Sequence, residues 1–196
     1  MKKNSIILIS VAAVIVILFM WGTSGYNNLV TSREEVNSQW ANVESQYQRR
    51  SDLIPNLVST VKGYATHESS TLEGVVAARA KATQVTIDPK NLTPEKLQEY
   101  QAAQGQVSAA LGKLMMITEN YPDLKANQNF LELQAQLEGT ENRISVERNR
   151  FNDVAKSYDI TIQHFPRSII ASLFGFEKKP YFEAEKGAEK APAVKF

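Results

Sequence analysis

The residues of this chain that could do chemistry are a few polar groups set on or beside apolar seams. Arg49, Arg50 and Asp52 share one stretch with Pro55 and Asn56, reading Arg49-Arg50-Ser51-Asp52-Leu53-Ile54-Pro55-Asn56-Leu57-Val58. Glu119, Glu141 and Arg148 fall on or beside seams further along. Charges placed this way either form a half-buried ion-pair network that sets helix register or line a pocket for a charged ligand. Arg50 with Glu141 is the expected pair, since both lie mid-helix on segments expected to be antiparallel neighbours. Pro55 adds a second feature. A proline removes one helical hydrogen bond at a cost of about 3 kcal/mol, leaving the carbonyl of Ser51 in need of another donor. Arg49, Asp52 and Asn56 surround that carbonyl, which makes it the first place to look for a bound water, ligand or partner.

Other chemistry is sparse. His67-Glu68 opens like the zinc motif HExxH, but Thr71 stands where the second histidine belongs. A metal at His67 would need Glu68 or Glu119, because His164, the other histidine, is expected at the opposite end of the fold. The alternative for His67 is a capping role at a helix end. No nucleophile has an adjacent histidine, and no glycine loop is built to cradle phosphate. Catalytic residues, metal and cofactor are therefore not expected. The chain has no cysteine, which excludes disulfides and thiolate metal sites. Its 22 basic and 21 acidic residues are interleaved, so no basic stripe exists to bind nucleic acid.

The elements that must position these groups are helical. Lys2-Lys3 precedes an apolar run from Ile6 to Trp21, and residues 6–24 approach the roughly 20 residues of a membrane span. Trp21 sits where an interfacial aromatic belongs. A cleaved secretory signal is the rival reading, but no good Ala-x-Ala site follows. With Lys2 and Lys3 before the span and Arg33 the next basic residue, the positive-inside rule keeps residues 1–5 in the cytoplasm and puts the rest outside it. Gly22 to Gly25 reads as a hinge.

Beyond it, Leu29, Val36, Trp40, Val43, Tyr47, Ile54, Leu57, Val61 and Tyr64 follow steps of four and three, interrupted by Arg33 and Arg50. This predicts a helix from Tyr26 to Ala65, bent at Pro55. Ser70-Thr71-Leu72-Glu73 resembles a capping box for a second helix to Gln84, with Leu72, Val75, Val76 and Ala80 inward. Thr93-Pro94-Glu95 starts a third, to Glu119. A fourth runs from Leu124 to Gln163, where Pro166 ends it, and Arg167 to Phe174 forms a short last segment. The expected fold is all-α: an antiparallel up-down four-helix bundle over residues 26–165, preceded by one transmembrane helix.

Several segments are similar to the LemA family of bacterial membrane-anchored proteins. They are Arg49 to Ser69, Glu119 to Ile144, Arg148 to Asp153 and His164 to Phe176, followed by Tyr181-Phe182-Glu183-Ala184. Tyr158-Asp159 stands where the family pattern reads Tyr-Asn. The resemblance implies a single N-terminal membrane helix and an exported helical bundle, with no enzymatic activity.

Residues 166–196 read as an amphipathic segment and a polar tail. An even number of antiparallel helices returns the chain to the membrane, where Ile169, Ile170, Leu173, Phe174 and Phe176 suit the interface. The alternative is that they cap the lower end of the core. The functional expectation is a scaffold or adaptor for other envelope proteins, anchored in the cytoplasmic membrane. A small-ligand or metal sensor at the Pro55 kink or the His67 tip is the second reading. Seams of this kind can be consumed within one bundle or shared between chains, so oligomeric state stays open.

Overall fold

A computed structural model describes residues 3–65 and 67–183. It is all-helical, with no strand among the described residues. The apolar N-terminal segment and the first seam form one continuous helix, α1 (Lys3–Lys62). At 1.5 Å per residue it is about 90 Å long. The expected hinge is absent: Gly22, Thr23, Ser24 and Gly25 are all helical. Gly25 serves close approach instead, since a Cβ there would lie 2.5 Å from Ile170 Cδ1.

Five helices follow: α2 (Ser69–Gln84), α3 (Pro94–Thr118), the single turn α4 (Pro122–Lys125), α5 (Gln128–Gln163) and α6 (Arg167–Phe174). Thr93 caps α3 by accepting from the Lys96 N–H, with Pro94 at the first helical position. The capping box at Ser70 does not form. α2 starts two residues earlier, at Ser69 behind Glu68, with no side-chain cap. The fourth helical pattern is broken, because Asn127 interrupts it as the N-cap of α5 and accepts from Phe130 N–H at 3.0 Å. Gly175 ends α6 at φ +70°, and Phe176 N–H then reaches back to the Ala171 carbonyl at 2.9 Å.

α1 and α5 pack antiparallel. Trp40 meets Phe151, Arg50 meets Glu141 and Asn127 meets Tyr64, so each advance along α1 is matched by a retreat along α5. α2 packs on α3 and on α1, while α6 lies against α5 and α1. The α1 seam is buried from Leu29 to Val61, but Tyr64 is exposed and Ala65 takes the inward place. On α2, Leu72 and Val75 point inward as expected. Val76 and Ala80 do not: they face outward, and Ala82 is buried instead.

Two core clusters result. The first joins Leu29 to Tyr47 with Tyr100, Phe151, Tyr158 and Phe182; the second joins Ile54 to Ala65 with Val75, Leu114, Phe130 and Leu137. Between them lies a layer centred on Arg50.

The expected polar tail is, as far as residue 183, a packed strap. Phe182 is buried and stacks on Trp40 at 5.9 Å. The Asn152 side chain both donates to the Phe182 carbonyl and accepts from its N–H. Residues 184–196 lie outside the described residues.

Candidate functional site

Arg50 is buried on all sides, at 1 % exposure. A guanidinium in that position must have every donor matched or carry a large desolvation cost. One terminal nitrogen donates to Glu141 Oε1 and to Ser108 Oγ, both at 2.7 Å. The other donates to Gln104 Oε1 at 2.7 Å and to the Gln104 carbonyl at 3.1 Å. The Tyr47 ring lies 5.1 Å from the guanidinium carbon, so the cation also rests on a π face. One side chain thereby ties α1, α3 and α5 at a single height.

Burial raises the Tyr47 hydroxyl above its ordinary pKa, with the cations Arg148 and Arg50 opposing the shift. Burial also raises Tyr100, reinforced by Tyr47 and Glu44. Both phenols therefore stay protonated around the arginine. The layer is a hydrogen-bonded set in which the one buried guanidinium faces one carboxylate.

The carbonyl freed by Pro55 is also matched, by a residue the sequence reading missed. Arg79 Nε, on α2, donates to the Ser51 carbonyl at 2.8 Å. α1 stays helical through Pro55 as a result. Arg49, Asp52 and Asn56 are exposed, and none supplies that donor. Asp52 instead accepts from Gln48 at 2.7 Å. Ser51 Oγ is buried without a hydrogen-bond partner among the described residues. It borders a cleft of about 100 Å³ with Tyr47, Arg50, Arg79, Thr86 and Gln104. Pockets for metabolites usually measure about 300–1,000 Å³.

Of the charges singled out in the sequence, the structure brings only Arg50 and Glu141 together. Glu119 pairs with Lys125 at the distal turn. Arg148 belongs to the strap, donating to the Glu183 carbonyl at 3.0 Å and lying over the Phe182 ring. His67 is exposed, and its neighbour Glu68 accepts from Tyr121 Oη at 3.1 Å. Among the described residues no three His, Asp or Glu side chains converge as a metal site would require. The missed residues Gln104 and Ser108 left a trace. They interrupt the apolar stripe of α3 between Tyr100 and Leu111, as Arg50 interrupts that of α1.

The strap has its own polar centre at Asp159, which is buried. It accepts from the Lys179 N–H at 2.9 Å and from Tyr181 Oη at 2.6 Å. Burial and that carboxylate push the Tyr181 hydroxyl up to about 12. The Lys179 ammonium, lowered by burial and by Arg33, donates to the Pro89 carbonyl at 2.8 Å. Asp at position 159 thus supplies two acceptor oxygens, where an asparagine would supply one. Of the residues expected at the interface, Ile170 and Phe176 are buried in the core, whereas Ile169, Leu173 and Phe174 are exposed.

Among the described residues the chain is all-helical, and its N-terminal helix is long and apolar enough to cross a membrane. The LemA family model matches residues 39–196, and the chain belongs to that family. It is 30% identical to magnetosome protein MamQ 2 of Paramagnetospirillum magneticum, over 95% of this chain and 73% of the relative. It is 28% identical to magnetosome protein MamQ of Magnetospirillum gryphiswaldense, over 86% and 68% of the two chains. Protein LemA of Metamycoplasma hominis is 22% identical over 82% and 69%.

Proposed function

We propose that this protein is a non-catalytic scaffold or adaptor for other cell-envelope proteins, held at the cytoplasmic membrane by residues 6–24. In this reading the span is an uncleaved signal-anchor, residues 1–5 are cytoplasmic, and α1, α2, α3 and α5 form an antiparallel up-down four-helix bundle outside the cytoplasm. The lysines at the N-terminus support that orientation. The observation that carries the function is the saturation of Arg50. Its terminal donors are all consumed by the chain's own helices, so the charged centre stiffens the fold rather than receiving a substrate. A ligand sensor at the same place would need more room than a cleft of about 100 Å³ provides.

The distal half offers a surface for a partner. Val58, Leu72, Val76, Ala77 and Ala80 line an apolar groove of about 410 Å³ between α1 and α2. Photo-crosslinking in intact cells tests the reading, with probes at Val76 and Asn56 and a comparison probe at Lys156 on α5. The expected result is one envelope protein captured from the α1–α2 side and not from Lys156. No capture at any position would sink the scaffold reading.

A further inference from the structure

We infer that α6 and the turn before it are a second membrane contact, a foot that lies in the interfacial layer beside the point where α1 leaves the bilayer. This rests on the reading of residues 6–24 as a membrane span.

α6 divides its apolar residues between two sides. Ile170 and Ala171 face the core, and Phe176 joins them after the Gly175 turn. Ile169 (58 %), Leu173 (75 %) and Phe174 (56 %) face outward, joined by Phe165 (81 %) from the preceding turn. Four large apolar side chains more than half exposed on a stretch of ten residues are denser than the scattered exposure ordinary for a soluble surface. Had they served only to close the core, all would be inward, and only part of the set is.

The position of this patch along α1 identifies what covers it. Ile170 packs against Gly25, and the Phe174 ring meets Tyr26 edge-on at 4.9 Å. Residues a full turn apart on α6 thus touch adjacent residues of α1, so α6 crosses α1 rather than running along it. Phe165, His164 and Arg167 line one groove with Trp21, Ser24 and Gly25. The patch therefore sits level with the end of the apolar span, whose side chains from Ile7 to Trp21 are exposed wherever they are large and apolar. From Trp21 to Tyr26 is a rise of about 8 Å along a helix. An amphipathic helix lying at the bilayer surface sinks roughly 5–10 Å into the headgroup and acyl boundary. A lipid surface already touches α1 at that level, so the patch continues an apolar surface that the bilayer covers.

The absence of cysteine from the chain allows single-site labelling without background. The full chain is reconstituted into two sets of phosphatidylcholine–phosphatidylglycerol vesicles, one carrying nitroxides on the acyl chain near the headgroup and the other carrying them deep in the chain. A fluorophore is attached through Phe165→Cys, Leu173→Cys, Val14→Cys or Asn56→Cys, one at a time, with far-ultraviolet circular dichroism to confirm that each variant folds. Quenching at Leu173 and Phe165 at least about threefold above that at Asn56 is expected, with Val14 quenched most by nitroxides placed deep in the chain. Leu173 and Phe165 quenched no more than Asn56, while Val14 remains deep, would overturn the foot and leave the anchor standing. A water-shielded emission at Leu173 without lipid quenching would also overturn it, pointing to a second copy of the chain as the occupant. Val14 unquenched would remove the anchor and the foot together.

Discussion

Below the Arg50 layer the core sets the rings Trp40, Tyr47, Tyr100, Phe151, Tyr158, Phe176 and Phe182 among its aliphatic side chains. Above it the core is built from Leu, Val, Ile and Ala, with Phe130 its one buried ring. The two halves also differ in how they are closed. The aromatic half is sealed by a strap that comes from far along the chain and lays Phe182 flat on Trp40 at an interplanar angle of 7°. The aliphatic half is closed by the single turn α4 and by α2, a helix without a side-chain cap, packed on the end of α1 that carries a proline. Large rings bury much area per residue and fix geometry, whereas small side chains let helices approach but leave more of the stability to many weak contacts. The distal half should therefore open first in hydrogen exchange, and the proximal half with global unfolding.

The strongest way to break this contrast is Phe182→Ala. It removes the ring sandwiched between Trp40 and Arg148 and should cost about 3–4 kcal/mol, as large-to-small changes in a core do. Denaturant unfolding would show the loss, and exchange protection should fall in the proximal half. A loss under about 1 kcal/mol would mean that the strap is decoration.

Next in size is Glu141→Ala, expected to cost about 3 kcal/mol because Arg50 keeps its charge in a buried site with one partner gone. The joint change Arg50→Met, Gln104→Leu and Glu141→Leu, which removes the buried charge together with the polar groups that answer it, should be close to neutral, and should blur the boundary between the halves in exchange. A large loss from the joint change would show that the polar layer contributes net stability and not only register.

Smaller again is the distal pairing of Arg79 with Pro55. Arg79→Ala should cost about 1–2 kcal/mol by leaving the Ser51 carbonyl unmatched. In a Pro55→Ala background, where the restored N–H takes that carbonyl, the same change should cost less than half as much. Equal costs in both backgrounds would break the link between the two residues.

The smallest effect is a pH dependence that is strongest in the proximal half. Burial raises Tyr158 to about 12, opposed by Arg33 and reinforced by Asp159 and Glu177, and Tyr181 is held at about 12 as well. A raised pKa favours the fold while the group is protonated. The contribution is complete below pH 10.0, the ordinary value for tyrosine, and is lost as pH rises from there through about 12. Ultraviolet titration should find Tyr47, Tyr100, Tyr121, Tyr158 and Tyr181 ionising above the ordinary tyrosine value, and Tyr181→Phe should remove one of them. Unchanged late ionisation in that variant would show that Tyr181 titrates as an ordinary exposed tyrosine.

Legibility in the sequence followed the reach of each interaction. The spacing of Leu29, Val36, Trp40 and Val43 exposed the inward face of α1, because helical periodicity is a local property. Thr93 and Pro94 announced α3, since a cap acts within one turn. Arg50 stood out as a charge on a seam. What answered it did not: Gln104 and Ser108 are unremarkable residues until three helices place them opposite Arg50. Arg79 likewise sits on the alanine-rich α2, where only the packing of α2 across α1 brings its Nε to the Ser51 carbonyl. The false hinge at Gly22 to Gly25 has the same origin. Glycine was read as freedom, whereas a neighbouring helix used its small volume.

What the sequence determined by itself is the sequence-local part of this protein: an apolar helix near the N-terminus, seams of period three and four, the places where those seams carry charge, and membership in a family of membrane-associated proteins. Tertiary structure decided the rest. It set which polar groups neutralise Arg50, which donor replaces the bond lost at Pro55, that the tail up to Glu183 packs into the core, and which side chains of α6 turn outward. Each of those depends on contacts between residues far apart in the chain, whose geometry is set only when the helices have chosen their neighbours and their register.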